Sequence, residues 1–125
     1  MIVGLGIDFV SGDRVGRELA RGEWRESDGI FTAAELAYCN SGHRPEQRFA
    51  ACFAAKEAAL KALGAEVDDL AIFREIEVQP ADGAEHKLVL RGRPRAIAAR
   101  LNGRRIHLSL AVARQNVGAM VIIES

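Results

Sequence analysis

The chain has 125 residues, which suits one compact domain over residues 1–125 and leaves too little length for a second domain of ordinary size. Hydrophobic residues make up 49% and charged residues 27% of the chain, as is ordinary for a soluble globular protein. Its 17 Lys and Arg residues balance its 17 Asp and Glu residues, so the net charge gives no support to a nucleic-acid partner.

The N-terminal residues do not have the pattern of a targeting segment. They are apolar, but Gly4, Gly6 and Asp8 interrupt them and no basic region precedes them. No apolar run approaches the roughly 18 residues that a membrane span needs. The sequence therefore predicts a cytoplasmic protein with no membrane partner, whose two cysteines, Cys39 and Cys52, are free thiols.

Residues 2–10 alternate as a β-strand does. One face carries apolar side chains and the other carries two glycines and a carboxylate: Val3, Leu5, Ile7 and Phe9 against Gly4, Gly6 and Asp8. Because glycines have no side chain, another element or a phosphate-bearing ligand can approach the backbone closely beside Asp8. A plain capping or loop-facing acid is the alternative interpretation of Asp8.

A first helix is predicted from a cap at Ser11 or Asp13 through about residue 22. Three arginines, Arg14, Arg17 and Arg21, lie on one face of this helix. A solvated basic face is the ordinary interpretation. The alternative is a docking surface for an acidic partner, because complementary charge sets orientation and association rate.

The remaining elements predict a single α+β domain. Thr32 and Glu35 match a capping box for a short helix, and a long helix runs from about Glu46 to Leu63 and ends at Gly64. The second half of the chain is rich in strands and has one helix: strands Ile72–Val78, Lys87–Leu90, Ile106–Val112 and Val117–Ile123, a turn at 80–83, and a helix that begins at Pro94.

The long helix is apolar almost all round, as buried helices are, yet it contains Lys56, Glu57 and Lys61. Lys61 follows Glu57 by four residues, so the two can meet on one side of the helix. A solvated ion pair, with lysines that reach the surface, is one interpretation. Because buried charges are costly unless they are paired or bind an ion, a functional site is the other.

Asp8 and Glu57 together would supply two oxygen ligands. Magnesium is typically held by one or two carboxylates, with phosphate oxygens and waters completing its shell, so this pair suits phosphoryl chemistry better than hydrolysis by zinc. His107 is a third candidate, because it shares one face of an amphipathic strand with Ser109. A lone histidine in a strand is more often structural, and that interpretation stays open as well.

Three segments occur in a fixed order: Gly6-Ile7-Asp8 with Arg14 downstream, Phe53-Ala-Ala-Lys-Glu-Ala58 through Lys61-Ala-Leu-Gly64, and His107-Leu-Ser-Leu110 before a closing Val-Ile-Ile-Glu-Ser. As an ordered set they resemble the holo-acyl-carrier-protein synthases, the small stand-alone 4′-phosphopantetheinyl transferases. The resemblance covers essentially the whole chain, and the Phe-Ala-Ala-Lys-Glu-Ala stretch is specific for this superfamily.

The resemblance implies a homotrimer in which a small antiparallel sheet packs with a long buried helix and the active sites lie at subunit interfaces. It further implies that Asp8 and Glu57 bind Mg²⁺ and that Glu57 helps to deprotonate a serine of acyl carrier protein. Lys61 would neutralise the leaving phosphate of coenzyme A. Contacts to coenzyme A and to the carrier's acidic helix would come from two further sets: Lys56, Lys61, Gly64 and His107 for coenzyme A, and Arg14, Arg17 and Arg21 for the carrier.

The chain departs from the family pattern at two positions. Relatives commonly carry a basic residue where this chain has Cys52, and many carry a polar residue where it has Val112. These departures motivate an alternative, a non-catalytic trimeric relative that binds carrier protein or coenzyme A. A second alternative is an unrelated magnesium-dependent phosphohydrolase, which fold analogy alone does not exclude.

Overall fold

This computed structural model describes residues 1–81 and 84–125 of the chain. The described residues contain four α-helices and five β-strands. In chain order they are β1 (Ile2–Ser11), α1 (Gly12–Ala20), α2 (Ala33–Asn40), α3 (Pro45–Leu63), β2 (Ile76–Ala81), β3 (Ala84–Leu90), α4 (Gly92–Arg100), β4 (Arg105–Ala113) and β5 (Asn116–Glu124). Short 3₁₀ turns lie at Glu26–Asp28 and Leu70–Glu75. The predicted α+β class is confirmed.

Three predicted helix ends are confirmed by their hydrogen bonds, whereas α4 begins at Gly92, two residues before the predicted start at Pro94. Ser11 caps α1, since its Oγ accepts the backbone N–H of Arg14 at 3.3 Å. At the start of α2, Thr32 Oγ1 accepts the N–H of Glu35 at 3.2 Å, and Glu35 Oε1 accepts the N–H of Thr32 at 2.9 Å. α3 ends at Gly64, whose φ of 65° is left-handed and favours glycine.

The sheet that carries the candidate site has the strand order β1–β5–β4 and is antiparallel throughout. α3 crosses one face of it, and two glycines of β1 allow the close approach. A Cβ atom at Gly4 would overlap the carbonyl oxygen of Ala62, and one at Gly6 would overlap that of Ala58. The face of β1 that bears Asp8 is therefore the face on which the helix lies.

The opposite face of the sheet is apolar and open to solvent. Leu5 is 55% exposed and Phe9 is 75% exposed, and Ile7 and Met120 beside them are also exposed. Ile7 pairs with Met120 across β1 and β5, so these side chains form one continuous surface. We call Leu5, Ile7, Phe9 and Met120 the outer sheet face.

One predicted strand was wrong in its first half. The predicted strand Ile72–Val78 begins as the 3₁₀ turn Leu70–Glu75 and becomes β2 only at Ile76. Ile72 and Phe73 are buried in this turn, and the ring of Phe73 stacks on Phe53 with centroids 5.4 Å apart. A short apolar run is buried equally well as a turn or a strand, so its pattern does not distinguish them.

β2 and β3 form a separate antiparallel pair. The turn predicted at 80–83 falls partly on residues 82 and 83, which lie outside the described residues. Among the helices that the structure describes, none has the length and apolar character needed to cross a membrane.

Candidate functional site

Asp8 and Lys61 meet where β1 lies against α3. The ammonium of Lys61 donates to Asp8 Oδ1 at 2.9 Å and to the carbonyl oxygen of Ile7 at 3.1 Å. The Asp8 side chain is 15% exposed and that of Lys61 is 54% exposed. This hydrogen bond to Asp8 raises the pKa of Lys61 above its usual range, so Lys61 is a cation at neutral pH.

Glu57 lies one helical turn before Lys61 on the same side of α3 and faces the same cluster. Partial burial raises the pKa of the Glu57 carboxyl, and the negative charge of Asp8 raises it further. The positive charges of Lys61 and Arg14 act in the opposite direction. The structure thus brings two carboxylates and two cations together at one surface, although Lys61 pairs with Asp8 and not with Glu57.

The donor set of this cluster suits a hard cation that keeps other ligands. Within residues 1–81 and 84–125, no group of three or more His, Cys, Asp and Glu side chains is arranged to hold a metal. Asp8 and Glu57 offer two carboxylates, and their mutual repulsion is visible in the raised pKa of Glu57. A divalent cation that takes water and phosphate oxygens as further ligands would relieve that repulsion, which fits Mg²⁺ and does not fit structural zinc.

Lys56 has a different environment from the one that the resemblance implies. Its side chain is fully buried, and its ammonium donates to the carbonyl oxygens of Phe73 and Ile76 at 2.7 and 2.6 Å. It also pairs with Glu35 Oε1 at 2.8 Å. Burial lowers the pKa of Lys56, and the charge of Glu35 opposes that shift. With three oxygen partners inside the protein, Lys56 joins α3 to α2 and β2 and does not face the Asp8 cluster.

The sequence predicted Glu35 only as a capping residue, whereas the structure also makes it the partner of Lys56. It is 1% exposed, and its second oxygen accepts the N–H of Val78 at 2.8 Å. A capping-box glutamate normally lies near the surface. The available signal was the apolar surroundings of Lys56, because a buried lysine requires an acidic partner somewhere in the chain.

His107 lies on the other face of the sheet from Asp8. Asp8 pairs with Ala119, whereas His107 pairs with Ile122, which in turn pairs with Leu5 of the outer sheet face. Directly paired residues share a face, so one copy of the chain does not bring His107 to the Asp8 cluster. His107 Nε2 lies 2.5 Å from Glu124 Oε1, and this contact lowers the pKa of Glu124. The sequence did not predict Glu124 as the partner of His107.

The three arginines, two in α1 and Arg21 at its C-cap, are exposed, as predicted, but two of them are ion-paired. Arg14 Nε lies 3.3 Å from Glu18 Oε1, and Arg21 Nε lies 3.3 Å from Glu23 Oε1. Arg17 lies between them in the sequence, on the same exposed helix. Gly64 is exposed at the end of α3 and donates its N–H to the carbonyl of Lys61 at 3.1 Å, an ordinary hydrogen bond of a helix end.

Comparison with known proteins identifies the family. Residues 4–113 match the model of the 4′-phosphopantetheinyl transferase superfamily. The match spans most of the chain and includes Asp8, Glu57, Lys61 and His107. The chain therefore belongs to the 4′-phosphopantetheinyl transferase superfamily.

Within this superfamily, the chain is similar to holo-[acyl-carrier-protein] synthases. That of Koribacter versatilis is 40% identical over 124 residues, which is 99% of both chains. The crystal structure of the Neisseria meningitidis synthase has a TM-score of 0.84 at 28% identity and covers 100% of both chains. The structure of the Bacillus anthracis synthase, in complex with CoA (3′,5′-ADP), has a TM-score of 0.77 at 30% identity. This match covers 100% of the present chain and 98% of the Bacillus anthracis chain.

Proposed function

We propose that this protein transfers the 4′-phosphopantetheine arm of coenzyme A to a serine hydroxyl of apo acyl carrier protein in the cytoplasm, releasing adenosine 3′,5′-bisphosphate. Membership of the superfamily supports the reaction class, and the similar proteins are named for this activity. The single observation that carries the proposal is the cluster itself. Two carboxylates and the Lys61 cation share one partly open surface, as phosphoryl transfer by positioning and charge requires.

Asp8 and Glu57 would hold Mg²⁺. Bound there, the ion would neutralise charge on the diphosphate of coenzyme A. Binding to the native state alone raises stability by mass action. We therefore expect Mg²⁺ to raise the melting temperature of the wild-type protein and to have a smaller effect on Asp8→Asn and Glu57→Gln.

The roles of the protein's own groups follow from their charges. The serine oxygen of the carrier attacks the β-phosphorus, and the bond from that phosphorus to the oxygen bridging the two phosphates breaks. Glu57 accepts the serine proton, directly or through a water, as a carboxylate placed beside the reacting atoms can. Lys61 is half-exposed and, within residues 1–81 and 84–125, its ammonium has Asp8 and one carbonyl as partners, so it can turn to the departing phosphate and neutralise it.

A complete site requires more than one copy of the chain. His107 lies on the same side of the sheet as the outer sheet face, away from the Asp8 cluster, and the outer sheet face is apolar and exposed. Contiguous exposed apolar surface marks interaction sites. We propose that copies associate through the outer sheet face as a homotrimer, and that His107 of one copy completes the coenzyme A site of its neighbour.

The carrier protein would dock on α1. Arg14, Arg17 and Arg21 are exposed on this helix, and Arg14 is close enough to Glu57 to affect its pKa. An acidic helix of the carrier placed against these arginines would therefore lie beside the reacting atoms. Because Glu18 and Glu23 already pair with Arg14 and Arg21, the carrier's acids would exchange with local ones, which favours a transient complex.

The reaction is tested by intact-mass spectrometry of an apo acyl carrier protein incubated with this protein, coenzyme A and Mg²⁺. We expect the carrier to gain the mass of one phosphopantetheine, and this gain to disappear with a chelator and with Asp8→Asn or Glu57→Gln. The matched control is Glu66→Gln, an exposed glutamate just beyond α3, which should retain full activity.

Other outcomes separate the alternatives. A phosphohydrolase would release nucleotide products from coenzyme A without any carrier. A non-catalytic relative would bind coenzyme A or carrier and release nothing. Full activity in Asp8→Asn or Glu57→Gln would overturn the assignment of the site while leaving the reaction itself standing.

A further inference from the structure

The two cysteines of the chain meet inside the protein, where α2 contacts α3. Cys39 lies in the last turn of α2 and Cys52 in the middle of α3. Their sulfur atoms are 3.7 Å apart, and both cysteines are free thiols. Their side chains are 0% and 2% exposed. The reaction proposed above uses neither thiol, and the chain has no other cysteine.

The distance between the sulfurs is short enough for a covalent bond after a small movement. A disulfide has an S–S length of about 2.05 Å, so the sulfurs must approach by less than 2 Å. α2 is the shorter of the two helices and ends at Asn40, one residue beyond Cys39. Its end is held by Arg48, which donates to the carbonyl of Tyr38 at 2.7 Å. A shift of this last turn would therefore have to carry the Arg48 contact with it.

One of the two buried thiols belongs to a residue that lines a cavity open to solvent. Cys52 lines an open cavity of about 230 Å³ between α2, α3, β3 and β4, whose walls include Tyr38, Arg48, Ala51 and Val112. Cys39 does not line this cavity and lies behind Cys52. A small neutral oxidant that enters the cavity would meet the Cys52 sulfur first.

We propose that Cys39 and Cys52 form an intramolecular disulfide when the native protein meets a hydroperoxide, with Cys52 oxidised first and Cys39 resolving it. In the first step the Cys52 sulfur attacks one peroxide oxygen, the O–O bond breaks, and hydroxide leaves and takes the thiol proton as water. In the second step Cys39 sulfur attacks the sulfenic acid on Cys52, the S–O bond breaks, and the hydroxide takes the Cys39 proton. Two thiols and one hydrogen peroxide give one disulfide and two waters.

The surroundings of Cys39 support this order. Its contact with Cys52 and its burial raise the pKa of the Cys39 thiol well above its usual range. Cys39 is fully buried and does not line the cavity, so it meets an oxidised sulfur only when a sulfenic acid forms beside it on Cys52. The proposal concerns a modification that lies outside the transfer reaction and does not depend on that reaction.

The test is oxidation of the folded protein by hydrogen peroxide, followed by intact-mass spectrometry and thiol counting in denaturant. We expect the wild-type protein to lose the mass of two hydrogen atoms and both titratable thiols, and dithiothreitol to restore them. Peptide mapping without reductant should show Cys39 joined to Cys52 within one chain. Two thiols still titratable after treatment, addition of oxygen without a cross-link, or a cross-link between chains would overturn the proposal.

Single variants test the order of the two steps. In Cys39→Ala the sulfenic acid on Cys52 has no resolving thiol, so a dimedone adduct should accumulate there. In Cys52→Ala the remaining Cys39 should react far more slowly. Equal rates of oxidation at the two positions in these variants would contradict the assigned order. Because the wild-type measurement needs no substitution, a variant that fails to fold leaves the main test intact.

Discussion

Glu57 illustrates how one residue can lower the stability of the protein that it serves. Partial burial and the charge of Asp8 raise its pKa in the native state above the ordinary value of 4.5. The ionised carboxylate is therefore held less favourably in the folded chain than in the unfolded one. Below pH 4.5 both states bind the proton and there is no cost. The cost develops as the pH rises from 4.5 toward the raised native pKa and is complete above it.

Glu57→Gln should therefore stabilise the protein near neutral pH while it abolishes transfer. Glutamine keeps the shape of the side chain and removes the charge that Asp8 repels. Melting temperatures measured from pH 4 to pH 8 should coincide at the acid end and diverge as the pH rises, with the variant higher. Glu66→Gln should show no such divergence. A Glu57→Gln protein that melts below wild type at neutral pH would contradict the electrostatic account of this site.

The sequence predicted which residues form this cluster, but it did not predict which of them form hydrogen bonds with each other. Asp8, Glu57 and Lys61 were predicted, because a carboxylate beside two glycines and charges on an apolar helix both require an explanation. The partner of Lys61 was not predicted, since spacing along one helix shows only neighbours within that helix. Asp8 comes from a strand more than 50 residues away, and only tertiary packing brings it close.

Contact between two elements, β1 and α3, sets the distance between the two carboxylates. Gly6→Ala would place a methyl group on the carbonyl oxygen of Ala58. This backbone oxygen cannot move away unless the whole buried helix shifts. We expect a loss of about 1–3 kcal/mol or more in the free energy of unfolding, together with loss of transfer because Asp8 moves away from Glu57. Chemical denaturation and the carrier mass assay measure the two effects.

Gly16→Ala is the matched control for that substitution. Its new methyl group would lie 3.6 Å from the Cβ of Glu46, an ordinary contact, and Gly16 lies inside α1. Replacing a helical glycine by alanine stabilises by about 0.5–1 kcal/mol. If both variants lost the same stability, the close approach of β1 and α3 would not be the cause.

The buried pair of Lys56 and Glu35 joins three elements, and its removal gives a second test at this scale. Lys56→Met leaves Glu35 charged and removes the ammonium that donates to the carbonyl oxygens of Phe73 and Ile76. Breaking a buried ion pair on one side costs about 3–5 kcal/mol. Lys56→Met combined with Glu35→Gln should recover part of that loss, because glutamine stays neutral and can still accept from Val78. Equal losses in the single and double variants, measured by urea denaturation, would show that the two charges do not interact.

Helix ends were the most predictable part of the fold. Ser11, the Thr32–Glu35 box and Gly64 each satisfy backbone groups within a few residues, so local sequence decides them. Residues 72–75 were predicted as the start of a strand but lie in the turn Leu70–Glu75, because their apolar side chains are buried in either conformation. Its aromatic contact with Phe53 comes from a distant helix, and such a contact has no local signature.

At the scale of the whole molecule, the outer sheet face is the largest feature that one chain leaves unexplained. The sequence predicted that β1 has an apolar face, and the natural expectation for such a face is burial. In the single chain the glycine face is covered by α3 and the apolar face is open. A trimer was implied by family resemblance alone, and the exposed face now supplies a physical reason for association.

Phe9→Asp should reduce self-association and transfer together. A carboxylate on the outer sheet face would have to be desolvated against apolar side chains of a neighbouring copy. Sedimentation equilibrium should show a shift from trimer toward monomer, and the carrier mass assay should show a parallel loss. Val67→Asp, at an apolar residue that is 48% exposed and lies outside the sheet, is the control that should change neither. A Phe9→Asp protein that remains trimeric would show that the interface lies on another surface.

The placement of Asp8 and His107 on opposite faces of one sheet has a genetic consequence. If each site takes its carboxylates from one copy and its histidine from the next, then Asp8→Asn and His107→Ala damage the same site from different chains. Each variant alone would be inactive, yet the two co-assembled would complement each other. Random mixing in equal amounts would leave roughly a quarter of the interfaces with both groups intact. If the mixture recovered no activity, we would conclude that each site takes Asp8 and His107 from the same chain.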